Sequence, residues 1–127
     1  GSRLNIALRD LRSPIDAAAP HGIILGSPNA DDHSPTVVAT KDGGAVVWMR
    51  VRSGIRNDVF VQGFETKPSL SVLGEPRLLN PPVGDDDHAA PPIYGTALTH
   101  IRDQVFFVVW AEGKSPDFRL VGRFIER

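Results

Sequence analysis

The chain predicts an all-β fold: two four-stranded antiparallel β-propeller-like blades packed face to face, plus an N-terminal strand. Three observations lead there. One pattern of strand and turn signals occurs over residues 22–65 and returns, loosely, over residues 75–126. The runs Ala45-Val46-Val47-Trp48 and Phe106-Phe107-Val108-Val109-Trp110 are apolar at successive positions, as in strands covered on both faces. Twelve glycines and eleven prolines in 127 residues punctuate short apolar runs, and no convincing amphipathic helix lies between them. Repetition at a spacing of tens of residues is the signature of repeat architectures. Residues 1–127 therefore read as one domain made of two internal repeats.

The elements follow in order. Arg3 to Arg9 alternates Leu4, Ile6 and Leu8, and reads as the last strand of a preceding repeat. Asp10 to Ala19 carries Pro14 and ends in Ala-Ala-Ala-Pro, which reads as a linker. The first repeat places strands near residues 22–25, 36–40, 45–51 and 58–64. Lys41-Asp42-Gly43-Gly44 is a hairpin signal, since Asp-Gly and Gly-Gly supply the positive φ angles of primed turns. The second repeat places strands near residues 76–79, 93–99, 104–111 and 118–125, with Arg102-Asp103 at the matching turn. Phe60, Gln62 and Phe64 stand at period two beside Val59 and Val61, a more polar strand next to the buried one. A buried inner strand beside a half-exposed outer one is what a propeller blade requires.

Bulk properties exclude several classes. A net charge of −1 gives no general attraction to nucleic acid or anionic membranes. No apolar stretch approaches the ~20 residues needed to span a bilayer as a helix. With no cysteine, disulfides, thiolate catalysis and Cys-based zinc sites are excluded. Eleven of the fourteen basic residues are arginine, the residue suited to bidentate contacts and aromatic stacking.

Ser34-Pro35-Thr36-Val37-Val38-Ala39, then Asp42-Gly43-Gly44-Ala45-Val46-Val47-Trp48, then Asp58-Val59-Phe60-Val61-Gln62-Gly63-Phe64, then Gly74-Glu75-Pro76-Arg77-Leu78-Leu79-Asn80 form a series. This series resembles the blade-like repeats of large secreted bacterial proteins, RTX-type adhesins among them. The resemblance runs from Gly22 to the C-terminus and is stronger in the first copy, because the second lacks the Gly-Gly turn. It implies a β-propeller-like scaffold and a secreted or cell-surface location, and it carries over no catalytic residue.

Candidate sites each have a plainer alternative. Asp31, Asp32 and His33, and Asp85, Asp86, Asp87 and His88, occupy matching loops. Clustered carboxylates suit Ca²⁺, although neither loop has EF-hand or calcium-roll spacing; strand-capping turn residues are the alternative. Arg50 and Arg52, with Arg56 and Lys41, could receive an acidic sugar, or could form a solvated strand face. Tyr94 is the aromatic best placed for ligand contact. Trp48 and Trp110 are expected in the core by their repeated position, with sugar stacking as the alternative. No G-x-S-x-G, H-E-x-x-H, P-loop or G-x-G-x-x-G signature is present. The expected function is a non-enzymatic extracellular binding or adhesion module, with a glycan or cell-surface ligand and Ca²⁺ as a candidate cofactor. The alternatives are a fragment of a propeller-type polysaccharide-acting enzyme and a structural spacer. Two isolated blades leave apolar faces uncovered, so homo-oligomers or further repeats are the expected partners.

Overall fold

The computed structural model describes residues 4–12, 22–53, 56–80 and 92–127. Among them are nine strands and no helix. β1 (Ile6–Leu8) and β2 (Ile23–Leu25) form a two-stranded sheet. β3 (Asp32–Ala39), β4 (Gly43–Ser53), β5 (Arg56–Glu65) and β6 (Ser71–Leu78) form a four-stranded meander. β7 (Ile93–Arg102), β8 (Val105–Lys114) and β9 (Asp117–Glu126) form a three-stranded one. All pairings are antiparallel and no sheet closes on itself.

The all-β expectation holds, but the strands are grouped differently. Ile23–Leu25, expected to open the first four-stranded unit, pairs with β1 instead, Ile6 opposite Leu25 and Leu8 opposite Ile23. Residues 76–79, expected to open the second unit, largely belong to β6, which turns back onto β5. The sheets therefore hold two, four and three strands rather than four and four. A duplicated sequence fixes a period, not the point where one sheet hands over to the next. The short connection between β5 and β6 makes their pairing the cheapest available, since closure entropy grows with loop length.

The central sheet is covered on both faces. Val46, Trp48 and Phe64 point towards the β1–β2 pair and pack with Ile6 and Leu25. Ala45, Val47, Met49, Val59 and Val61 point the other way and pack with Phe106, Val108, Trp110 and Ile125 of the last sheet. This explains why β4 is apolar at every position from Ala45 to Met49 while β3 and β6 are not. Trp48 and Trp110 are 0% and 1% exposed, each directed at the preceding sheet. Several arginines act as ties between the central and last sheets. Arg77 donates to the Glu126 carbonyl at 2.6 Å, Arg127 to the Phe64 carbonyl at 3.0 Å, and Arg123 to the Leu79 carbonyl.

The β3–β4 hairpin forms as expected, though not for the expected reason. Neither Gly43 nor Gly44 has a positive φ. Thr40 instead closes the turn, its N–H and its hydroxyl both donating to the Gly43 carbonyl at 2.6 and 3.0 Å. Gly44 is required for space: a Cβ there would meet the Val38 carbonyl oxygen, with the Phe64 ring 2.8 Å away. Gly44→Ala is therefore expected to destabilise by about 1–3 kcal/mol, the range for overpacking, readable in urea titration. The turn is also fastened to the β5–β6 connection by Lys67 Nζ to Asp42 Oδ1 at 3.0 Å. That hydrogen bond holds the Asp42 carboxyl below its usual range. The tie therefore persists at neutral pH and is lost only as pH falls through that lowered value.

Candidate functional site

The face of the central sheet towards β1–β2 carries polar groups at one end and an apolar cleft at the other. At the polar end, Asp32 stands opposite Arg50 in the β3–β4 register. Asp32 is fully buried, and its two oxygens accept from Arg50 Nε at 2.7 Å and Nη2 at 3.1 Å. The Arg50 guanidinium lies 4.3 Å from the Phe60 ring centroid, and Phe60 stacks on Trp48 at 6.1 Å. Bidentate pairing and ring stacking are the two uses to which arginine is best suited. Gly26, with φ +74°, lies against this pair; a Cβ there would come within 2.5 Å of Arg50 Nη2 and 3.0 Å of Asp32 Oδ2. The positive φ favours glycine, and a Cβ would displace the tip of the Arg50 side chain from its pairing position. Gly26→Ala is expected to loosen the ion pair and lower the thermal midpoint by several degrees.

Arg52 is similarly engaged. It donates to both oxygens of Asp58, with Nε at 3.3 Å. Asn80 donates to Asp58 Oδ1 at 3.1 Å and accepts the Val59 N–H at 2.7 Å, joining the end of β6 to this network. Arg50 and Arg52 thus share one sheet face, as their spacing predicts, but each already holds a carboxylate of the chain itself. Asp31 accepts the Leu4 N–H at 3.2 Å, and His33 bridges Ser34 at 2.8 Å and Asn57 at 2.9 Å. Asp85, Asp86, Asp87 and His88 lie outside the described residues. Among the described residues no group of three or more His, Asp or Glu side chains could hold a metal ion.

Tyr94 lies elsewhere, on the outward face of the last sheet. It is 46% exposed and meets Phe118 edge-on at 5.8 Å. It is brought together with neither Arg50 nor Arg52.

The cleft at the other end of the face was not foreseen from the sequence. It encloses about 310 Å³ between the end of β1, the end of β3 and the β5–β6 connection. Leu8, Val37, Phe64 and Leu70 give it apolar walls. Arg9, Asp10 and Arg12 line it from the turn after β1, and Thr40 and Thr66 from the other side. Arg12 Nη2 meets Asp10 Oδ2 at 3.0 Å. That side-chain bond, helped by the Arg12 N–H, keeps the Asp10 carboxyl below its usual range. Thr66 Oγ1 is buried with no hydrogen-bond partner. A buried hydroxyl without a partner is costly and marks a place where a polar group from outside can be satisfied. The signal in the sequence was Arg9-Asp10-Leu11-Arg12, a charged turn directly after an apolar alternation.

No protein-family model, curated protein or solved structure matches the chain. The functional reading therefore rests on these side chains. Among the described residues no helix is long and apolar enough to cross a membrane.

Proposed function

We propose that this chain is a non-enzymatic extracellular binding module of the adhesion type, and that its cleft holds an acidic sugar unit of a glycan. The sheets serve as propeller-like blades, a rigid support for the cleft. The observation that carries the reading is the make-up of the cleft. Val37 and Leu70 offer an apolar surface to the C–H face of a sugar ring, Arg9 a guanidinium at the rim for a carboxylate, and Thr66 carries an unpaired hydroxyl in the wall. Pockets that bind small molecules combine apolar walls with a few convergent polar groups in this way. The acidic ligand expected for Arg50 and Arg52 moves to Arg9, because those two are already neutralised by Asp32 and Asp58, as Arg12 is by Asp10.

A glycan-array screen with and without Ca²⁺ tests this. Uronic-acid glycans are expected to be retained, with affinity falling roughly tenfold or more in Arg9→Ala, the scale of a lost hydrogen bond to a charged group. Thr66→Val should weaken binding less, and Tyr94→Ala should leave it unchanged. Loss of binding in Tyr94→Ala with none in Arg9→Ala would move the site to the outward face of the last sheet. Retention only with Ca²⁺, abolished by substituting Asp85, Asp86 or Asp87, would return it to the acidic loops. No retained glycan would leave the structural-spacer reading.

A further inference from the structure

Away from the cleft, one nucleophilic side chain is already paired with a base. Ser34 Oγ lies 2.8 Å from His33 Nδ1, and His33 Nε2 lies 2.9 Å from Asn57 Oδ1. An amide oxygen only accepts, so Nε2 carries the ring proton. Nδ1 then presents its lone pair, and the serine hydroxyl donates to it. A nucleophile, a base and a third group that orients the base are thus joined in a row, the arrangement that activates a serine for covalent chemistry. The backbone singles out the same residue. Ser34 has φ +55°, in the left-handed region that glycine favours. The last sheet does place glycine there. Ser34 stands two residues before Thr36, which faces Val47; Gly95, with φ +62°, stands two before Ala97, which faces Val109. Val47 and Val109 directly precede Trp48 and Trp110, and a register break accompanies each site, between His33 and Thr36 and between Tyr94 and Thr96. The first repeat therefore keeps an exposed serine where the second uses the residue that the angle prefers. Backbone strain of this kind collects at functional sites.

We propose that Ser34 is an acyl acceptor, which takes the acyl group of an aryl ester. Oγ attacks the carbonyl carbon while its proton passes to His33 Nδ1. The oxyanion forms beside the Ser34 N–H. The Asp31 carbonyl accepts the Val51 N–H and His33 stands opposite Met49, so positions 31 and 33 turn their main-chain groups towards β4. The Ser34 N–H therefore points the other way, towards the edge of the central sheet that no described strand pairs with. As the C–O bond to the phenol breaks, the departing phenolate takes the proton from Nδ1, leaving Ser34 acylated and His33 neutral. Nothing is oxidised or reduced. Asn57 acts through His33, as a positioning residue whose carbonyl steadies the imidazolium. A single main-chain donor suits an ester with a good leaving group better than the alkyl ester formed at Ser34, so the acylated chain is the end product. The step gives a binding module a covalent hold rather than a turnover, and it does not depend on the cleft.

Treating the full chain with p-nitrophenyl acetate tests it. A burst of about one nitrophenolate per chain is expected, with the acetyl group located at Ser34 by peptide mass spectrometry. Ser34→Gly suits the backbone angle, so it should remove the burst and keep the circular dichroism spectrum of wild type. His33→Ala should slow acylation roughly hundredfold or more, the scale of a lost general base. Asn57→Leu should slow it as well, whereas Asn57→Asp, which still accepts from Nε2, should react at close to the wild-type rate. Arg9→Ala should leave the burst unchanged, whatever it does to glycan retention. Acetyl groups spread over the lysines with no burst would overturn the inference. So would a Ser34 label that forms as fast in His33→Ala, or one that forms as fast in the urea-unfolded chain.

Discussion

Replacing Trp48 with alanine is expected to destabilise the fold by about 3–5 kcal/mol, the range for deleting a large core aromatic. The ring is fully buried where β1–β2 lies on the central sheet, so its loss leaves a cavity bounded by Ile6, Leu25, Val46 and Phe64. Trp110→Ala should cost as much, because that ring fills the matching place between the central and last sheets. Phenylalanine should separate the two. Trp110 Nε1 donates to Glu112 Oε2 at 3.3 Å, while Trp48 Nε1 has no partner. Trp48→Phe gives up no hydrogen bond and relieves an unsatisfied N–H, so it should be the milder change. Glu112 is 6% exposed and would keep only Arg119, which donates to it at 2.7 Å. Urea titrations of the four variants measure this, and equal costs for the two phenylalanine variants would show that the indole N–H groups are alike in the native state.

Asp32→Ala is expected to cost a similar amount, about 3–5 kcal/mol, because it strands the Arg50 guanidinium in a partly buried position. The same principle gives a second, opposite expectation. Removing both partners at once, as Asp32→Leu with Arg50→Met, should recover most of that loss, since a buried ion pair contributes little net over a well-packed apolar one. The double-mutant cycle isolates the pair energy. If Asp32→Ala were within about 0.5 kcal/mol of wild type, the range of plain surface substitutions, the buried pair would not be part of the stable fold in solution. Neither substitution touches the cleft, so glycan retention by the folded double variant should be unchanged.

How far the sequence could be read depended on which interaction decided each feature. The doubly apolar runs around Trp48 and Trp110 were legible because burial on two faces removes the usual alternation, and both rings are in the core. The grouping of strands was not legible, because the affiliation of β2 and β6 is set by which neighbouring edge is closer, not by their own residues. The Gly43-Gly44 pair marked the hairpin correctly but for a different cause, crowding by Val38 and Phe64 rather than a left-handed backbone. Arg50 and Arg52 could be placed on one face from their spacing. That their charge is already answered could not be foreseen, because Asp32 lies eighteen residues from Arg50 and the pairing depends on register. The cleft was hidden for the same reason: Arg9, Thr40 and Thr66 are brought together only by the stacking of β1 on the central sheet.

The thin cover over Trp48 also makes the chain its own reporter. Trp110 is enclosed between sheets of four and three long strands, whereas Trp48 is roofed by two strands of three residues each. Brief lifting of that roof should admit a small quencher to one indole and not to the other, since local openings follow the least supported element. Acrylamide should then quench two populations of emission at different rates, with the faster one removed by Trp48→Phe. Amide protons of the β4 residues whose side chains face that roof should exchange no faster than their neighbours, because their ladder partners on β3 and β5 stay in place. A ligand wedged beneath Leu8 would pin the roof down and slow the quenching of Trp48 alone, so occupancy of the cleft could be read by light.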